Sequence, residues 1–273
     1  MVQGQERPRK MSMLFSWLKK RRRRKILTEP FPPAWLEILH NNVAHYQSLT
    51  ADEQARLRDD LRIFLAEREW EGCGGLVMTD EIKVTVAALA CLLILALDLD
   101  LYRKVQTILV YPSGYRVPGE LGVNEAPRLV EDKDLLGEAH YRGPVCLSWD
   151  EVVEGSRHPG KGENLVFHEF AHQLDMADGY VDGTPPLKDP RQARRWAKVM
   201  SAEFDRLRRE SDSGRATLLD AYGAINEAEF FAVATECFFN RPVALRQRHP
   251  KLYDLFREFY QQDPAERKFH SLI

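Results

Sequence analysis

Apolar residues recur at helical spacing through the first hundred positions of the chain. Leu57, Leu61, Phe64 and Leu65 fall on one stripe behind Thr50-Ala51-Asp52-Glu53, where Thr50 and Glu53 have the spacing of a capping box, so a helix is predicted there. Residues 33–46, introduced by Pro32-Pro33, predict an earlier helix. A glycine-rich break at 72–75 is followed by Thr79-Asp80-Glu81 and the apolar run 84–97. At 14 residues this run is short of the about 20 that cross a bilayer, and it reads as a buried helix over 79–97. The period then changes. Residues 105–111 are rich in β-formers and end at Pro112-Ser113-Gly114, and 145–149 form a second short apolar run, so both predict strands. Residues 113–142 carry Gly, Pro and charge and are expected to form surface loops near a cleft.

Helical spacing returns after Asn164, an expected N-cap, and stops at Gly179. Val166, Phe170, Leu174 and Ala177 line one side of this segment; His168, His172 and Asp175 line the other. Asn226 is placed to cap a further helix on which Glu229, Ala232, Val233 and Glu236 share a face and Glu227 is directed elsewhere. A charged helix over 191–210 and an amphipathic one over 252–260 look structural. The expected fold class is α+β: an α-rich domain over 30–273 with a small β-sheet beside the histidine-bearing helix, preceded by an arm at 1–29.

The polar stripe carries chemistry. His168-Glu169-Phe170-Ala171-His172 sets two imidazoles four residues apart on one helix face, able to reach one Zn²⁺ at about 2.0–2.1 Å. Glu169 beside them would serve as general base for a water whose pKa the metal lowers to about 7. Two core histidines bonded to nearby acids would show the same spacing. A catalytic zinc also needs a third protein ligand and an open fourth position. Glu229 and Glu236 lie about two turns, roughly 10 Å, apart along their helix. Only one of them can touch the metal while the other supports the site, and spacing does not choose. Asp175 is expected to orient a histidine or the neighbouring backbone. Tyr222, in the turn at 220–223, reads by itself as a packing aromatic. His140, His158 and His249 have no partner at ligand spacing and are expected at the surface or at caps.

HEFAHQLD at 168–175 and YGAINEAEFFAV at 222–233 resemble the Mlc titration factor A family of zinc metallopeptidases, whose catalytic region is similar to the peptidase domain of anthrax lethal factor. The resemblance extends to VQTILVYP at 105–112, GPVCLSW at 143–149 and FREFYQQDP at 256–264, and covers roughly residues 30–265. It implies a zincin-like peptidase of the aminopeptidase type. It further implies one Zn²⁺ per chain held by His168, His172 and Glu229, with Glu169 as general base and Tyr222 as the hydroxyl that steadies the oxyanion. The stretch 143–149 would pair with an extended peptide substrate. The same resemblance implies an alternative, a regulatory protein that sequesters a transcriptional repressor of the Mlc type, with peptidase activity secondary. The arm has no counterpart in this pattern.

Composition adds bounds. At 273 residues and 44% hydrophobic content the chain can bury the core of one catalytic domain. Its four cysteines are far apart and lack CxxC spacing, which fits a reducing compartment. The apolar stretch 13–18 precedes the basic run 19–25, the reverse of an export signal, so a cytoplasmic protein is expected. Residues 1–25 hold ten of the 39 Lys and Arg but one of the 41 acids, leaving 29 basic against 40 acidic residues in the body. A body with 11 excess acids is a poor phosphate binder, so direct nucleic-acid recognition by it is not expected. The arm reads as a disordered, solvated tail, with weak contact to an anionic surface as the alternative.

Overall fold

The computed structural model describes residues 6–113 and 144–267, with side chains placed from residue 17. His140 and almost all of the loop-rich stretch 113–142 lie outside the described residues. In chain order the elements are helices α1 (Glu6–Thr28), α2 (Pro33–Asn42) and α3 (Ala51–Ala66), strand β1 (Glu69–Gly72), helix α4 (Asp80–Leu93), and strands β2 (Thr107–Tyr111) and β3 (Val145–Ser148). Helices α5 (Trp149–Arg157), α6 (Leu165–Asp175), α7 (Pro190–Asp212), α8 (Glu227–Asn240), α9 (Pro242–Arg248) and α10 (Pro250–Tyr260) complete them. The fold is α-rich α+β.

Caps set the helix starts. The Thr50 side chain accepts from the Glu53 N–H while Glu53 accepts from the Thr50 N–H, so the capping box closes and α3 begins at Ala51. Thr79 caps α4 in the same way through the Ile82 N–H. Helix α2 stops at Asn42 and gives way to a 3-10 turn at Ala44–Ser48, shorter than the apolar spacing to residue 46 suggested. Helix α4 stops at Leu93, although Ile94 and Leu95 stay buried beyond it.

Helix α4 is the centre of the core. From Val84 to Leu93 every side chain is fully buried, because α2, α3 and α6 pack around it. Each large apolar side chain removed from water there contributes about 1.5–3 kcal/mol. A second aromatic layer lies under α8, where Trp196 stacks on Phe256 with ring centroids 5.6 Å apart and meets Phe231 edge-on.

The sheet is small, parallel and ordered β1-β2-β3, with Leu109 aligned between Glu71 and Cys146. Ile108, Val110, Val145 and Leu147 turn one face into the core, while Leu109, Tyr111 and Cys146 lie half-buried on the other. β1 has the sequence Glu-Trp-Glu-Gly, which carries no apolar alternation and left no strand signal. Its last residue must be glycine: a Cβ on Gly72 would stand 2.0 Å from the Leu76 carbonyl oxygen. β3 lies at a sheet edge, and among the described residues no strand pairs with its outer side.

The arm read as a solvated tail contains α1, which lies along α3. Arg23 donates to Glu67 at 2.8 Å and to Asp100 at 2.7 Å, and Arg62 donates to the carbonyls of Ile26 and Glu29. These partners are remote in sequence, which is why the basic run gave no sign of them. His249, expected at the surface or at a cap, is buried and stands at the cap position between α9 and α10, with its Nδ1 2.7 Å from Glu203. His158 is exposed beside Glu154. All four cysteines are free. Among the described residues no helix is long and apolar enough to cross a membrane.

Candidate metal centre

Two capped helices build the site. The Asn164 side chain accepts from the Phe167 N–H at 3.1 Å and donates to the Gly155 carbonyl at 3.2 Å, which fixes the first turn of α6. Val166, Phe167, Phe170, Ala171 and Leu174 are fully buried on the core side of α6, so the rotation of the helix is set and His168 and His172 come to the opposite side. The Asn226 side chain accepts from the Glu229 N–H at 2.9 Å and starts α8, which lies against α6.

The approach of these helices brings three donor groups together. His168 Nε2 lies 3.0 Å from Glu229 Oε2 and 3.3 Å from His172 Nε2, and His172 Nε2 lies 3.6 Å from Glu229 Oε1. Among the described residues these three side chains form the one such group, with all ligand atoms within 4.8 Å of one another. Donors placed tetrahedrally at about 2.0–2.1 Å from one ion stand about 3.3 Å apart. The observed separations therefore fit a divalent cation with three protein ligands, and the imidazole-carboxylate set suits zinc among the divalent metals.

The two candidate glutamates occupy different places. Glu229 faces the Nε2 edges of the histidine pair, whereas Glu236 accepts from the other side of His168, with Nδ1 2.8 Å away. The second oxygen of Glu236 accepts the Asn164 N–H at 2.6 Å, so one buried carboxylate grips both the ring and the start of its helix. A carboxylate at this position fixes tautomer and ring orientation in a ligating histidine. The main-chain bond to Asn164 had no signal in the sequence.

Electrostatics follow from this crowding. Burial disfavours charge on His168, but hydrogen bonds to Glu229 and Glu236 outweigh it and raise the imidazolium pKa to about 10. Burial acts against the Glu229 carboxylate too, and its bonds to His168 and His172 overturn this, holding its pKa well below the usual range. Without metal the cluster thus keeps a proton on His168 that an incoming cation must displace.

Asp175 is fully buried, which raises its pKa, and it accepts from the backbone N–H groups of Asp182, Gly183 and Thr184 at 3.4, 3.0 and 2.8 Å. Its hydrogen-bond partners are these backbone N–H groups rather than a histidine, so it ties the chain after α6 to that helix. Gly183 has φ +73°, and a Cβ there would meet the Glu227 carbonyl oxygen at 2.3 Å, so the loop is drawn against the first residue of α8. Tyr222 sits on the 3-10 turn Ala221–Ala224, whose start Asp220 caps, and its ring centroid is 6.0 Å from that of His168. Glu169 is half-buried on α6, about 100° around the helix from His168. Cys146 of β3 feels its charge: burial, Glu169 and Cys73 push that thiol up to about 11, which removes it as a nucleophile at neutral pH.

The family model described as "Glucose-regulated metallo-peptidase M90" matches residues 17–261. An uncharacterized protein of Synechocystis is 35% identical over 246 residues, 89% of this chain and 89% of its own length. Mlc titration factor A of Salmonella arizonae is 32% identical over 81% of this chain and 88% of its own length, and that of Salmonella agona is 31% identical over 81% and 83%. The family match starts at residue 17, inside the arm, and so takes in the second half of α1, which the motif resemblance had left out.

Proposed function

We propose, for a chain that belongs to the glucose-regulated metallo-peptidase M90 family and is on that ground a metallopeptidase, an aminopeptidase-type zinc enzyme of the HExxH-plus-Glu class. The carrying observation is the convergence of His168, His172 and Glu229 from two helices at the spacing a tetrahedral ion requires. When bound, Zn²⁺ would acidify water and polarise the scissile carbonyl.

The chain's own residues do the rest. Glu169 takes the proton of the attacking water on a carboxylate oxygen and returns it to the departing amine. Tyr222 donates its hydroxyl to the oxyanion as the tetrahedral intermediate forms. Glu236 holds His168 by Nδ1, leaving Nε2 for the metal. The outer edge of β3 supplies backbone groups to an extended peptide, which gives binding tolerant of sequence. Four free thiols support a cytoplasmic site of action.

Metal analysis of the purified protein, paired with cleavage of a peptide library, tests this reading. About one zinc per chain and amino-terminal trimming are expected; a metal-loaded protein that cleaves nothing would overturn it. Tyr222→Phe is expected to keep the metal and lower turnover by about 10-fold to 10³-fold, since its donor is needed chiefly in the transition state. Glu236→Gln is expected to weaken metal affinity by about 10- to 100-fold in a chelator competition, the scale of losing a carboxylate behind a ligating histidine.

A second role is favoured by the name of the Salmonella relatives, Mlc titration factor A. Under it the chain binds a transcriptional repressor of the Mlc type, and repressor capture from native cell extract should persist in variants that have lost hydrolysis.

A further inference from the structure

The metal centre makes no use of the basic run at 19–25, and the structure divides that run in two. Lys19 and Arg23, four residues apart on α1, turn inward: Lys19 meets Asp100 at 2.7 Å, and Arg23 meets Glu67 and Asp100. Arg22 donates to the Ala66 carbonyl at 3.2 Å. Lys20, Arg21, Arg24 and Lys25 remain exposed, with no acidic partner among the described residues. Beside them Trp17 is 50% exposed and Leu18 45% exposed, and the Arg21 guanidinium lies 5.6 Å from the Trp17 ring centroid.

We propose that the outer side of α1 is a docking surface for anionic lipid headgroups, which holds the enzyme at a membrane face. Charge complementarity names the occupant. Four unpaired cations on one short stretch attract an anionic surface, while the 11 excess acids of the remaining chain keep the body away from it, so contact is confined to α1. The two apolar neighbours decide between lipid and nucleic acid. A tryptophan beside a leucine suits the headgroup boundary, where an amphipathic ring and an aliphatic chain enter together, and a nucleic-acid backbone offers no such layer. Upstream on the same helix the sequence continues Met11, Met13, Leu14 and Phe15. The inward ion pairs to Glu67 and Asp100 hold the helix against α3, so the surface is presented by a fixed element.

Flotation of the full chain with phosphatidylcholine vesicles, with and without about 30% phosphatidylglycerol, tests the proposal. Binding to the anionic vesicles is expected to be at least about tenfold stronger and to weaken as salt rises from about 0.1 M to 0.5 M. Reversing the four exposed charges (Lys20→Glu, Arg21→Glu, Arg24→Glu, Lys25→Glu) should bring binding to the neutral-vesicle level with Tm unchanged. Trp17→Ser with Leu18→Ser should reduce it at constant charge. Equal binding to both vesicle types overturns the proposal, as does retention by the charge-reversed protein. Indifference to the Trp17 and Leu18 substitutions, with a DNA duplex bound as tightly as anionic vesicles, overturns it in favour of a nucleic-acid surface.

Discussion

Glu169→Gln is expected to cut peptide hydrolysis by about 10²-fold or more while leaving fold and metal content unchanged, the scale on which general-base catalysis contributes. The amide keeps the shape and the half-buried position of Glu169 on α6 but cannot accept the proton of the attacking water. Metal retention in the purified variant is the essential control. The site's charge balance supports its being kept, because Glu229 and Glu236, both bonded to His168, supply the larger part of the negative charge there and Glu169 adds a smaller electrostatic share from about 100° around the helix. If Glu169→Gln hydrolyses peptides at the unmodified rate, the activity belongs to another site and the repressor-binding role becomes the main one.

Glu229→Ala is expected to empty the metal site. Structural zinc sites with four protein ligands bind with an apparent 10–16 kcal/mol, about 2.5–4 kcal/mol per ligand, so the loss of one of three protein ligands here should cost at least about 10²-fold in Kd, and hydrolysis should fall at least as far. That exceeds the effect expected of Glu236→Gln, which removes a hydrogen bond to a ligand and not a ligand. Measuring zinc content of the two variants side by side separates the roles. Should alanine at 236 empty the site while alanine at 229 leaves it full, the assignment of the third ligand is reversed. In the metal-free Glu229→Ala protein, His168 loses one of the two carboxylates that hold its proton, so its pKa should fall from about 10 toward the ordinary imidazole range.

Local signals survived translation into structure where the physics was local. Thr50, Thr79, Asn164 and Asn226 each cap the helix that their place in the sequence announced, because a capping bond spans only two or three residues. The histidine pair came to one face because α6 is regular. Glu229 and Glu236 could not be told apart, since which one meets the Nε2 edges of the histidine pair and which the Nδ1 side of His168 depends on how α8 lies on α6, a tertiary contact that leaves no local signal. β1 gave no signal: its pairing with β2 is a tertiary event, and Trp70 is its sole apolar side chain. The basic run misled for the same reason, its acids lying 44 and 77 residues away from Arg23.

The candidate metal donors come from two helices, with His168 and Glu229 separated by 61 positions in the chain. A single ion there would act as a removable cross-link: it closes a long loop when present and releases it when withdrawn. Stability then becomes a function of metal supply, rising by about 2.7 kcal/mol when free ion exceeds its dissociation constant a hundredfold. Starvation for the ion would silence the enzyme and loosen α8 from α6 in one event, so the same shortage that stops turnover also shortens the life of the protein.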